Sequence, residues 1–325
     1  MSRIALIFFI AFELSYYLLI AQTGIVEYFS SNILLIAPLP IGGILGSIMS
    51  YYIRASNGNK IKAFLGVQLG VSIFYPNLSI AMLFILGLSV GALAPLLINE
   101  LKKASNIQIA LALVISYTLG TFLFNYDVSQ RQNLAVLLTV MTLGSSFFLP
   151  KKAISNQNQI LNLEYPLLLM TFWVFLDSAL FETISRDLDI SIWRNGYTYE
   201  IAIFHIIGVI AGFKLKLENH QKALLILMLF AFSYMAYFLK VELALSMVYP
   251  FVISYYNVAI LKSIFQKSLK TLAFYMVFIG WIASGAGLFV AINELILFVP
   301  ILFLGLLIKI LITQQIQQKE KLCSN

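Results

Sequence analysis

A chain of 325 residues that is 61% hydrophobic and only 11% charged, with mean hydropathy +0.92, is too apolar for a soluble domain and reads as an all-α polytopic membrane protein. The net charge of +7 would suit nucleic acid, but the basic residues fall in short loops on one side of the bilayer, so no nucleic-acid partner is expected. A single cysteine, Cys323, excludes an intramolecular disulfide and a cysteine metal cluster.

Twelve apolar segments follow one another, at about 4–26, 32–53, 61–76, 78–98, 107–125, 132–149, 165–184, 198–215, 221–239, 242–262, 270–292 and 294–313. The first follows Arg3 and resembles a signal peptide. It lacks a small-x-small cleavage site, is too long, and is followed by further spans, so it reads as a retained first span. Tyr75-Pro76-Asn77 marks the turn between the third and fourth segments.

Lysine and arginine set the orientation. The N-terminal side receives 17 of the 21 basic residues, and the opposite side only Arg131, Arg186, Arg194 and Lys240. This alternation predicts that both termini are cytoplasmic. The polar stretch Pro150–Glu164 divides six spans from six. The predicted organisation is a six-helix bundle over 1–149, a cytoplasmic linker over 150–164, a second bundle over 165–313 and a cytoplasmic tail over 314–325. Six spans per half make the two bundles parallel repeats. Gly42-x-x-x-Gly46 answers Gly208-x-x-x-Gly212 at the same place in each half, and Glu13 in the first span answers Asp177 in the seventh.

Twelve spans as six plus six, with a cytoplasmic central loop and basic loops after spans two and eight, resemble the major facilitator superfamily. The loop after span two, Arg54-Ala-Ser-Asn-Gly58-Asn-Lys60-Ile-Lys62, keeps the glycine and positive charges of the family signature and lacks its acidic partner. Of the fifth-span motif of drug/proton antiporters only Gly120 stands. The resemblance implies a compact, divergent member whose spans one, four, seven and ten line a central cavity. That would place Glu13, Asn99, Asp177 and Asn257 around one space.

Two residues lead the candidates. A carboxylate near the middle of a span costs roughly 2.5–3.5 kcal/mol on insertion scales, so it normally faces a bundle interior or a water-filled cavity. Asp177 shares its helix face with Trp173 and Phe181, and Glu13 with Tyr16 and Tyr17. Each suits proton coupling, while the structural alternative is a carboxylic acid hydrogen-bonded to a neighbouring helix. Tyr16, Tyr17, Asn99, Trp173, Glu182, His205 and Asn257 complete the candidate substrate-binding set. Glu182 also reads as a surface partner of Arg186, four residues on, and His205 as a packing residue. No Lys or Arg lies deep in a span, which disfavours multiply charged anions. No cofactor, resident metal or P-loop motif is present in the sequence.

The leading reading is a secondary transporter, not an enzyme, in a bacterial inner membrane. It would move a small neutral, amphipathic or cationic solute by alternating access, coupled to protons or less readily to sodium. Two alternatives stay open. One is a lipid-linked glycosyl or acyl transferase using Asp187-Leu188-Asp189. The other is a membrane scaffold whose carboxylates pair with a partner's helix. The oligomeric state is not legible.

Overall fold

The computed structural model describes residues 2–29, 33–150 and 165–305. The tail over 314–325 and all of the linker except Pro150 lie outside them, as does the last part of the twelfth predicted segment. Everything described is helical or connecting loop.

We number the helices α1 (Ser2–Tyr28), α2 (Leu34–Tyr52), α3 (Asn57–Ser72), α4 (Ile80–Leu101), α5 (Asn106–Leu123), α6 (Gln132–Ser146), α7 (Leu167–Arg186), α8 (Thr198–Lys214), α9 (Asn219–Phe238), α10 (Glu242–Ile264), α11 (Leu269–Ile292) and α12 (Leu295–Gly305). Eight are long and apolar enough to cross a membrane. The other four, α3, α6, α8 and α12, are shorter; 16 residues of α-helix span about 24 Å, less than the ~30 Å hydrocarbon core.

Local chemistry places several boundaries. Ser56, Ser79, Ser105 and Ser268 each accept a backbone N–H two or three residues into the helix that follows. At α5 the cap is reciprocal, because Gln108 returns a bond to the Ser105 N–H. These caps start α3 and α5 earlier than hydropathy alone suggests, since a capping serine belongs to the helix end but not to the apolar run.

Glycine sets the closest helix contacts. A Cβ on Gly46 would lie 2.0 Å from the Leu88 carbonyl oxygen, and one on Gly87 would lie 2.0 Å from that of Leu39. Backbone therefore meets backbone between α2 and α4, and Ser47 Oγ spans the gap to the Gly91 carbonyl at 3.0 Å. The second pair, Gly208 and Gly212, presses α8 against Phe251 and Val258 of α10 in the same way.

The remaining contacts form a pattern. Helix α1 packs on α5 and α6, α3 on α4, α7 on α11, and α9 on α10. Helices α1–α6 meet the later ones chiefly where α2 and α4 touch α11 and where α5 touches α8. Two helices depart from regular α winding: α1 is π-helical over Tyr17–Gly24, and α11 over Val277–Ala283.

Candidate functional site

Asp177 sits mid-way along α7, beneath α10. Its Oδ1 accepts the Tyr249 hydroxyl at 2.8 Å and its Oδ2 accepts the Tyr256 hydroxyl at 2.5 Å. Tyr249 also donates to the Asp177 carbonyl at 3.0 Å. Tyr249 and Tyr256 are seven residues apart, two turns of α10, so they share one face and close on the carboxyl from two directions. Asn257 of α10 and Tyr117 of α5 border the same cavity as Asp177. The His205 ring stacks on Tyr117 at 4.5 Å and bonds Ser254 of α10 at 2.7 Å.

Glu13 sits on α1 with a different set of neighbours. It is only 4% exposed, yet its side chain's one hydrogen bond among the described residues is from Gln68 Nε2 to Oε2, at 3.2 Å. Gln68 belongs to α3 and also reaches Thr139 Oγ1 of α6 at 3.3 Å. The Gln68 Oε1 atom is buried without a partner.

Both carboxyls border one cavity of about 310 Å³. Its wall draws on α1, α4, α5, α7, α8, α10 and α11, so it is broader in origin than spans one, four, seven and ten alone. Both π-helical stretches contribute, through Tyr17 and Trp281. Ser178, beside Asp177, donates to the Ser284 carbonyl at 2.9 Å. A π-helical turn shifts the side chains that follow it onto a new face, which is why such turns recur at functional sites. Most of the wall is aliphatic or aromatic, and no Lys or Arg among the described residues borders it.

Five sequence-predicted residues meet here: Glu13, Tyr17, Asp177, His205 and Asn257. Four do not border the cavity. The Tyr16 hydroxyl bonds Ser72 of α3 at 2.8 Å. Asn99 lies in the last turn of α4, where Lys102 donates to it at 2.9 Å. Trp173 is fully buried edge-on to Tyr165, with ring centroids 5.0 Å apart. Glu182 does pair with Arg186, at 3.7 Å, but it is buried between helices and not the surface group its spacing suggested. The acids Asp187 and Asp189 are also occupied: Asp187 accepts the Tyr237 hydroxyl at 3.2 Å, and Asp189 faces Lys240 at 3.7 Å.

Three residues matter that the sequence did not single out. Gln68 holds Glu13; the only signal was a lone amide in an apolar helix. Trp193, from the short loop 187–197, is 4% exposed and forms part of the cavity wall. It stacks on Phe124 of α5 at 4.9 Å and meets Phe181 of α7 edge-on at 5.1 Å, and its carbonyl accepts Asn125 at 2.6 Å. On either side of it, Arg194 pairs with Glu27 of α1 at 3.0 Å and Asn195 donates to Glu242 of α10 at 2.9 Å. Arg131, which precedes α6, is 1% exposed. It donates to the Leu19 carbonyl and Thr23 hydroxyl in the π-helical stretch of α1, and to the Phe124 and Tyr126 carbonyls. A buried guanidinium is tolerable where backbone acceptors surround it.

With this geometry in hand, solved structures are informative. A major facilitator superfamily transporter, FucP, in the outward conformation aligns over 93% of this chain and 98% of its own, at 14% identity and TM-score 0.52. The chain has the major facilitator fold. A bacterial homologue of the human lysosomal transporter Spinster, in an inward-facing and occupied conformation, aligns over 88% of this chain and 80% of its own, at 12% identity and TM-score 0.43. No protein-family model matches the sequence, and no curated protein matches it.

Proposed function

We propose that this chain is a secondary transporter that moves a small neutral, amphipathic or cationic solute by alternating access, with Glu13 and Asp177 coupling the movement to protons. Sodium is the second choice of ion. The observation that carries the reading is that the two intramembrane carboxyls, 164 residues apart in sequence, border the same cavity. FucP, with which the chain shares its fold, is itself a transporter.

In this reading the chain has twelve spans in two parallel repeats, 1–149 and 165–313, joined by a cytoplasmic linker over 150–164 and followed by a cytoplasmic tail. Helix packing supports it. Shifting helix numbers by six turns α2 on α4 into α8 on α10, α1 on α5 into α7 on α11, and α3 on α4 into α9 on α10. Of the cross-contacts it exchanges α2 with α11 and α5 with α8, while α4 with α11 has no comparable counterpart between α10 and α5. An arrangement that largely maps onto itself can rock about the exchanged seams. The basic loops assign the N-terminal side to the cytoplasm of a bacterial inner membrane. Trp193 and the Glu27–Arg194 pair then lie toward the outside, where they must part for the cavity to open outward.

The test is accumulation in proteoliposomes under an imposed pH gradient, using a panel of small amphipathic solutes. Wild type should concentrate at least one solute, and Asp177→Asn should abolish accumulation against a gradient. Undiminished accumulation by the variant would remove Asp177 from coupling. Absence of gradient-driven flux across the panel would overturn the secondary-transport reading of the site.

A further inference from the structure

The two carboxyls of the cavity differ in what the protein leaves free. At Asp177 both oxygens are taken by phenolic hydroxyls, at 2.8 and 2.5 Å. At Glu13 one oxygen, Oε2, receives a long amide bond, and the other, Oε1, has no hydrogen-bond partner among the described residues. Glu13 is 4% exposed and borders the cavity, so the cavity is where a partner for Oε1 can enter. An ionised carboxylate in apolar surroundings is costly unless a counter-charge and further hydrogen bonds meet it. No Lys or Arg among the described residues borders the cavity to supply that charge.

We propose that Glu13 is the receiving residue for a cationic ligand, an amphipathic organic amine with one protonated nitrogen and an apolar body. This deepens the transporter reading of the cavity and rests on it only for the idea that a solute enters. The ammonium group donates to Oε1. The body lies along the aliphatic and aromatic wall, where Tyr17, one turn along α1 from Glu13, and Trp281 of α11 offer ring surface to a cation or its neighbouring carbons. At about 310 Å³ the space is at the small end of the roughly 300–1,000 Å³ usual for ligand pockets, which suits a single-ring or short-chain amine. Asp177 is a positioning residue in this scheme. Its carboxyl holds α10 to α7 through Tyr249 and Tyr256, so each of its oxygens already has one donor before a ligand enters.

Equilibrium dialysis on the purified full chain in detergent tests this without requiring flux. The probes are primary amines from benzylamine to phenylbutylamine, each paired with the alcohol of the same skeleton. At least one amine should bind about tenfold or more tighter than its alcohol, the difference expected of one charge-assisted hydrogen bond. Glu13→Gln should bring the amine down to its alcohol while the alcohol's own binding is unchanged, which shows that the variant is folded. Glu13→Asp should keep part of the preference. Equal binding of amines and alcohols, no amine binding at all, or a preference that survives Glu13→Gln would each overturn the proposal. A preference for amines in a protein that carries no solute would leave the Glu13 assignment standing and remove the transporter reading.

Discussion

Glu13 and Asp177 occupy matching places in the sequence and opposite conditions in the structure. Each oxygen of Asp177 has a tyrosine partner from one helix, and those tyrosines are buried while the acid itself is only half-buried. Glu13 has one long bond to an amide that is itself incompletely satisfied. A carboxylate held by two short hydrogen bonds is part of the packing, because losing it strands its donors. One with a free oxygen can accept a proton or a ligand without disturbing its neighbours. The same residue class therefore divides into a carboxyl with a phenolic partner on each oxygen and one with a single amide partner among the described residues.

The largest effect that would break this comparison is on stability. Asp177→Leu leaves the Tyr256 phenol without its acceptor and Tyr249 with only the backbone carbonyl of residue 177, and should cost about 1.5–4.5 kcal/mol, roughly 1–3 for the stranded phenol and 0.5–1.5 for the lost Tyr249 bond. Glu13→Leu strands only the Gln68 amide and should cost about 1–3 kcal/mol. Thermal unfolding in detergent should rank the two in that order; the reverse order would show that Glu13 is the structural carboxyl.

Single-bond variants sharpen the same contrast. Tyr256→Phe removes one hydrogen bond to a carboxylate and should cost roughly 1.5–3 kcal/mol. Gln68→Leu removes a 3.2 Å bond along with an unsatisfied oxygen, and should change stability by about 1 kcal/mol or less. Equal losses would mean that the Gln68 bond is stronger than its length indicates.

Trp193→Ala probes the loop that closes one end of the cavity. In a Cys323→Ser background, a cysteine placed at Ser116 in the cavity wall should react with a hydrophilic thiol reagent several-fold faster once the indole is gone. An unchanged rate would show that Phe124 and Phe181 seal that end without it.

The smallest expected effect is at Glu182. It is buried beside Arg186 but does not border the cavity, so Glu182→Gln should leave solute accumulation within about twofold of wild type while shifting stability by no more than about 1–2 kcal/mol. A loss of accumulation as large as that of Asp177→Asn would extend the coupling machinery up α7.

How much of this was legible follows from the range of the forces involved. Hydropathy and loop charge are summed over neighbours in sequence, so the helices, their order and the connecting loops could be read directly. The serine caps are equally local, acting over three residues. The glycine pairs at 42/46 and 208/212 were visible as a spacing, and the structure gives them their purpose as the points where α2 meets α4 and α8 meets α10. Asn99 was misplaced because helix number was used in place of depth: α4 contributes to the cavity, but Asn99 is in its last turn. Arg131 looked like a solvated loop charge, and it is buried because the π-helical turn of α1 presents acceptors to it.

The sequence by itself determined that this is a polytopic helical membrane protein with two acids in mid-span, since the cost of burying polar groups in hydrocarbon leaves few other readings of such a composition. Only the tertiary structure decided what those acids do. Their partners are 72 and 79 residues away in one case and 55 in the other, and no local pattern records which carboxyl will find two phenols and which will be left with an oxygen facing a cavity.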